Sequence, residues 1–240
     1  MRVNVALIGG TGIGDRLLSI SGQPIHIPTP FGTIRGRIIR IADESIVVFS
    51  RHSAGHKVPP HRVPYLGIAW ACKRLEVRAC FSTAAVGSLR EDWPSGTLVN
   101  CSDFIDFSCR NLTRFDKTVE HVDFSEPFAP GLRKELQFCA KELGLNLKPN
   151  GIYLNLNGPR YETPHEVKSL RAVGDIVGMT AGSEAIAMRE TGVRYSCLAI
   201  VTNLAAGISQ TPLSHEEVVA QMKISGESAV KLLLAAAKKV

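Results

Sequence analysis

The chain has 240 residues, 45% of them hydrophobic and 21% charged, with a formal net charge of +6. That length can bury a substantial core, and the composition excludes both a disordered segment and a disulfide-framed miniprotein. The Lys and Arg residues are scattered rather than gathered in a block, which fits a small anionic ligand better than a nucleic-acid groove.

The six cysteines are Cys72, Cys80, Cys101, Cys109, Cys139 and Cys197. None forms a Cys-x-x-Cys pair or joins a histidine at zinc-finger spacing, so they read as reduced thiols, mostly small core residues. The chain runs straight into Val3-Asn4-Val5-Ala6-Leu7-Ile8. No secretory leader pattern precedes it, and no apolar run reaches membrane-spanning length. The expectation is a cytoplasmic enzyme.

Val3 to Ile8 reads as a first strand, followed by the glycine run Gly9 to Gly14. Glycines after a strand let backbone N–H groups approach an anion, and Thr11 adds a hydroxyl. A dinucleotide fingerprint is disfavoured. The glycine spacing is wrong, and Pro24, Pro28 and Pro30 fall where a crossover helix should run. Residues 25–27, 33–41 and 45–49 read as short strands. A cationic loop, Arg51 to Lys57, follows directly. Arg51 can fork onto phosphate oxygens and His52 can add a donor.

Tyr65 to Arg74 reads as a helix, Arg78 to Ala85 as a strand ending in small residues, and Leu98 to Phe107 as another strand. Residues 109–128 read as a loop carrying His121, and a loop of that length points to a functional or interfacial role. Pro130 to Leu143 is an amphipathic helix pattern. Gly151 to Asn157 reads as a strand, with Tyr161 and Glu162 just past its end and Thr163 placed to cap a helix starting at Pro164. Ile176 to Thr180 is a short strand and Glu184 to Thr191 a helix. Leu198 to Val201 reads as a buried parallel strand tipped by Thr202-Asn203. His215 to Lys239 is a terminal helix, its Lys238-Lys239 end suited to the helix dipole. Strand–helix alternation without a composition break predicts one α/β domain spanning 1–240.

GGTG at 9–12, the Arg-His and His cluster at 51–56, PPHRVPY at 59–65 and AVGSL at 85–89 occur here in a telling order. HVDFSEPF at 121–128, GPRYET at 158–163, VGMT at 177–180 and VTN at 201–203 complete it. In this the chain closely resembles the trimeric purine nucleoside phosphorylases, and within them the 5'-methylthioadenosine phosphorylase branch. The resemblance implies a mixed twisted β-sheet flanked by helices, and phosphorolysis of a purine nucleoside to free base and ribose 1-phosphate. It implies a homotrimer or a dimer of trimers, with phosphate as co-substrate and no metal or organic cofactor.

It also implies roles. Phosphate would be held by Thr11, Arg51, His52, the backbone of Ala85, and Thr180. The sugar would lie along Met179 near His56, with His121 supplied across a subunit interface. The base would stack on Tyr161. Asn203, Glu162 and His52 would carry the catalysis. Relatives place Thr or Asn where this chain has Ala84, which leaves a nucleoside-binding protein without catalysis as one alternative. An aspartate at or near 203–205 favours 6-aminopurines in the family, and this chain has Asn203 and Ala205. An Asn side chain can donate to O6 and accept from N7–H, and Glu162 can accept from N1–H. That pattern implies inosine or guanosine as substrate. His215 matches the residue that bonds a 5'-hydroxyl, and a site built for a hydroxyl discriminates against an analogue lacking it. A 5'-methylthioinosine or 5'-methylthioadenosine phosphorylase is the nearer alternative.

Overall fold

The computed structural model describes residues 3–208 and 214–240. Among the described residues, nine strands are built from the apolar runs of the sequence. They are β1 (Val5–Gly9), β2 (Gly22–Thr29), β3 (Gly32–Ile41), β4 (Glu44–Ser50), β5 (Ala79–Ser88), β6 (Leu98–Asp106), β7 (Leu147–Asn155), β8 (Ile176–Gly178) and β9 (Arg194–Leu204). Six α-helices accompany them, α1 (Gly14–Ser19), α2 (Tyr65–Arg74), α3 (Pro130–Glu142), α4 (Pro164–Leu170), α5 (Ala181–Thr191) and α6 (His215–Ala237), with one 3-10 turn at Pro60–Arg62.

All nine strands share one mixed sheet in the order β2-β3-β4-β1-β5-β8-β7-β6-β9. β9 pairs with β5 as well as β6, so five strands close on themselves while β2, β3, β4 and β1 extend as an open wing. Strand β1 is buried along its whole length, as expected of a central strand with both faces covered. Its alternating side chains divide the core. Ala6 and Ile8 face α2 and α5, in a cluster with Phe49, Ile68 and Met188. Val5 and Leu7 face the opposite way, with Leu17 of α1, Leu136 of α3 and Leu232 of α6. No described helix is long and apolar enough to cross a membrane.

Several boundaries differ from the sequence reading. β7 begins at Leu147 instead of Gly151, despite Pro149. Only Tyr153 to Asn155 pair with β8, so the first half of β7 is bonded on one side and tolerates a residue with no N–H to give. β8 stops at Gly178 and α5 starts at Ala181, because the Tyr153 hydroxyl accepts the N–H groups of Thr180 (3.1 Å) and Ala181 (3.3 Å). α6 ends at Ala237, leaving Lys238 as its cap and Lys239 beyond it. Five of the six thiols are buried and all are free.

Thr163 caps α4 as expected, in a reciprocal box. Its hydroxyl accepts from the Glu166 N–H (3.1 Å), and the Glu166 carboxylate accepts from the Thr163 N–H (2.8 Å). Thr163→Ala is expected to cost about 1 kcal/mol, a fall in Tm of ~2–4 °C for a chain of this size. Calorimetry checks this, and an unchanged Tm contradicts it.

Candidate active site

Strands β1, β4, β5 and β9 run parallel, so their carboxyl ends reach the same edge of the sheet. A cavity of about 420 Å³ opens there. Thr11, Arg51, His52, Ala85 and Thr180 line it, as do His56, Tyr161, Glu162, Met179, Asn203 and His215. The sequence spreads these residues over seven segments, and the topology gathers them because each lies near the carboxyl end of a strand, in the segment that follows one, or at the start of a helix.

Two expected residues stand apart. Ala205 is buried beside Leu89 and Val177 in a small core cluster, and its N–H is given to the Ser88 carbonyl (2.9 Å). It backs the wall without lining it. His121 is exposed on the segment between β6 and α3 and does not line the cavity.

The anion side differs in detail from expectation. Arg51 is buried at 2% exposure and does not offer a free fork. Its Nε and Nη2 groups donate to both carboxylate oxygens of Glu184, at 2.6 and 2.7 Å, and Nη1 donates to the Thr83 carbonyl at 2.8 Å. Three of the five guanidinium N–H groups are thereby used and two remain. A side chain at Gly10 would approach Arg51 Nη1 to 2.5 Å, so glycine is what lets β1 end against the guanidinium. Glu184 and Arg51 balance each other's charge, and Arg51 is held protonated by that partner.

His52 was expected to add a donor, and the structure gives it the opposite role. Its Nδ1 lies 2.7 Å from the Val58 carbonyl, which can only accept, so Nδ1 carries the proton. Burial, reinforced by the Arg51 charge, lowers its pKa to about 3. At neutral pH Nε2 is therefore bare and accepts a hydrogen bond. A phosphate that still carries a proton can donate to it, because HPO4 and H2PO4 anions have a P–OH group. The backbone N–H of Thr180 is taken by Tyr153, which leaves its hydroxyl for a ligand. Ala84 is buried in the core and adds no polar group to this wall.

On the opposite side, the β5–β9 register slips between Val86 and Gly87, so Thr202 is the extra residue of a bulge. Bulges re-aim side chains beside active sites, and this one presents Asn203. The Asn203 Nδ2 donates to the Leu204 carbonyl (3.0 Å), and Oδ1 sits 2.8 Å from the Thr202 hydroxyl. The amide is oriented by these two partners and keeps one N–H and one lone pair. The carboxyl of Glu162 is pushed above the usual carboxylate range by burial. Gly158, at φ +68°, has no room for a Cβ against the Met179 side chain, so the 158–162 segment packs directly on Met179.

Three imidazoles follow one another along the cavity wall, tilted against each other. His52 and His56 have centroids 4.3 Å apart, and His56 and His215 are 5.0 Å apart. Burial, with His215 next, lowers the pKa of His56. His215 is the first residue of α6, but the helix start is capped by the Ser214 hydroxyl accepting from the Glu217 N–H (3.1 Å). Its imidazole is not needed for capping.

Sequence reasoning missed Glu184 and Arg110. Arg110 donates to the Met179 carbonyl (3.0 Å), the Ser183 hydroxyl (2.7 Å) and the Asn157 carbonyl (2.7 Å), tying the segment that leads into α5 to the one that follows β7. The signal available for it was an arginine in a long segment without regular structure. For Glu184 it was a carboxylate amid small apolar residues, where an unpaired charge is not tolerated.

The profile of the phosphorylase superfamily matches residues 4–238. A probable 6-oxopurine nucleoside phosphorylase of Thermococcus kodakarensis is 42% identical, over 96% of this chain and 90% of that protein. A probable S-methyl-5'-thioinosine phosphorylase of Methanopyrus kandleri is 38% identical, over 95% and 90%. Among solved structures, the methylthioadenosine phosphorylase of Schistosoma mansoni in complex with adenine superposes with a TM-score of 0.93. It is 28% identical, and the match covers 99% of this chain and 91% of that one.

Proposed function

The chain belongs to the phosphorylase superfamily, and on that premise we propose that it cleaves 6-oxopurine nucleosides with inorganic phosphate, giving the free base and ribose 1-phosphate. It is a pentosyltransferase of the purine nucleoside phosphorylase kind, as its relatives are named.

The observation that carries the substrate class is the Asn203 and Glu162 pair in one cavity with no aspartate at 203 or 205. Asn203 can donate to O6 and accept from a protonated N7. Glu162 can accept from N1–H, which hypoxanthine and guanine carry and neutral adenine lacks. As the glycosidic bond breaks, negative charge gathers on the purine and positive charge on the sugar. Asn203 and Glu162 stabilise the first, with N7 taking a proton. Phosphate, held by the remaining Arg51 N–H groups, the Thr11 and Thr180 hydroxyls and the Ala85 backbone, stabilises the second and then bonds to the anomeric carbon. This is positioning and electrostatic preorganisation without a covalent enzyme intermediate. Tyr161 supplies the stacking face, and Met179 and His56 flank the sugar.

Phosphate is the co-substrate in this reading, and no resident cofactor is called for. The site is taken to be completed by His121 of a neighbouring copy in a homotrimer or dimer of trimers, and the enzyme to work in the cytoplasm on salvaged purines as one domain.

A substrate panel with phosphate tests the reading: inosine, guanosine, adenosine, and the methylthio forms of adenosine and inosine. Inosine is expected to exceed adenosine in kcat/KM by at least about a hundredfold, because the wrong base leaves buried polar groups unpaired. Preference for adenosine overturns it. The resemblance to thioinosine phosphorylases keeps one second reading in view. His215 beside His56 at the cavity favours a 5'-hydroxyl, and preference for methylthioinosine over inosine would decide for the thioether.

A further inference from the structure

Behind the anion wall lies a chain of four buried polar side chains, Ser82, Tyr195, Glu184 and Arg51, each 2% exposed or less. They come from β5, β9, α5 and the residue after β4. The direction of every proton follows from what each atom can do. Glu184 accepts only, so the Tyr195 hydroxyl donates to its Oε2 (2.7 Å). Ser82 must then donate to the Tyr195 oxygen (2.6 Å). Glu184 turns both oxygens to the Nε–Nη2 edge of Arg51.

A guanidinium is planar, so fixing one edge fixes its plane and the direction of the N–H groups left over. Nη1 is pinned from a second side by the Thr83 carbonyl (2.8 Å). The two unused N–H groups, one on Nη1 and one on Nη2, thus have fixed directions, and Arg51 lines the cavity while Glu184 does not. Without the carboxylate, a long flexible side chain would sample other rotamers, and each would carry those donors away from the anion.

Resting on the phosphorolysis reading, we propose that Glu184 is a positioning residue for phosphate, held by Tyr195 and Ser82 and acting only through the guanidinium of Arg51. It touches no substrate. Its contribution is the orientation of the two donors that meet the anion.

Glu184→Gln tests this. The side chain keeps its shape, but its NH2 group faces a guanidinium N–H and cannot accept, so the two-point grip is broken. The KM for phosphate is expected to rise at least about tenfold, while the KM for inosine stays within about twofold. A folded variant whose phosphate KM is unchanged or lowered overturns the proposal. So does a parallel rise in both KM values, which is what a general loosening of the fold produces. If Glu184→Gln does not fold, Tyr195→Phe serves. It leaves the ion pair and removes one hydrogen bond to Glu184, and a phosphate KM raised about threefold is expected, an unchanged one overturning the idea. Calorimetric titration of inorganic phosphate into the wild type and Glu184→Gln reads the same difference without turnover. Wild-type protein that binds phosphate yet leaves every purine nucleoside intact would defeat the phosphorolysis reading, while weaker phosphate binding by the variant would still uphold Glu184.

Discussion

Replacing Asn203 by alanine is expected to lower kcat/KM for inosine by roughly 10²–10³-fold, the scale set by removing one preorganised donor from a site where charge develops. The effect is large because the amide does not have to be organised during the reaction. The bulge at Thr202 aims it, the Leu204 carbonyl and the Thr202 hydroxyl orient it, and one N–H and one lone pair are left over. Both are strengthened as the purine becomes anionic and N7 takes its proton, so the loss falls on the transition state and appears in kcat. The KM for phosphate is expected to hold, since Arg51, His52 and Thr180 are bonded independently of this amide. Steady-state kinetics with each substrate varied in turn give the result, and inosine phosphorolysis at the wild-type rate would remove Asn203 from the mechanism.

Glu162→Gln is expected to cost roughly 10–100-fold in kcat/KM for inosine, the range for losing a charged hydrogen-bond acceptor. It also has a signature in pH. Burial raises the carboxyl pKa, and the Glu162 backbone N–H only partly opposes this. A protonated carboxyl has lost the charge that strengthens its bond from N1–H and that stabilises the departing base. Wild-type kcat/KM is therefore expected to fall on acidification with a pKa above the ordinary carboxylate range, because the neutral form is favoured early. His52, beside Arg51, does not mimic this limb, because burial and the Arg51 charge lower its pKa to about 3. The acid limb vanishes in Glu162→Gln if the assignment is right. Its persistence in the variant would place the titrating group elsewhere.

The rim of the cavity was legible in the sequence for a physical reason. Strands with both faces buried are near-continuous apolar runs, and each such run ended in a polar or glycine-rich tip. Val201-Thr202-Asn203, Gly178-Met179-Thr180 and Ser50-Arg51-His52 all announced themselves in this way, and the cavity collects them. Thr163 was legible for a different reason, because capping is local chemistry within four residues. What escaped was long-range. Nothing near Glu184 says that its partner is Arg51, 133 positions earlier, so the sequence alone shows a free phosphate fork where the best edge is already taken. His52 looks like a donor to a ligand because turn residues such as Gly55 mark the loop without saying that the Val58 carbonyl, six residues on, claims the Nδ1 proton. Ala205 was assigned to the base pocket from its position in a motif. Its place beneath Gly87, packed with Leu89 and Val177, depends on the β5–β9 register. The closure of five strands through a second β9 pairing also leaves no trace in the pattern of any one strand.

The most direct test of the account is to incubate the protein with inosine, with and without inorganic phosphate, and to measure hypoxanthine and ribose 1-phosphate together. The account predicts base release only when phosphate is present, with one ribose 1-phosphate formed for each hypoxanthine. Release at the same rate without phosphate, giving free ribose, would contradict it, as would no release at all.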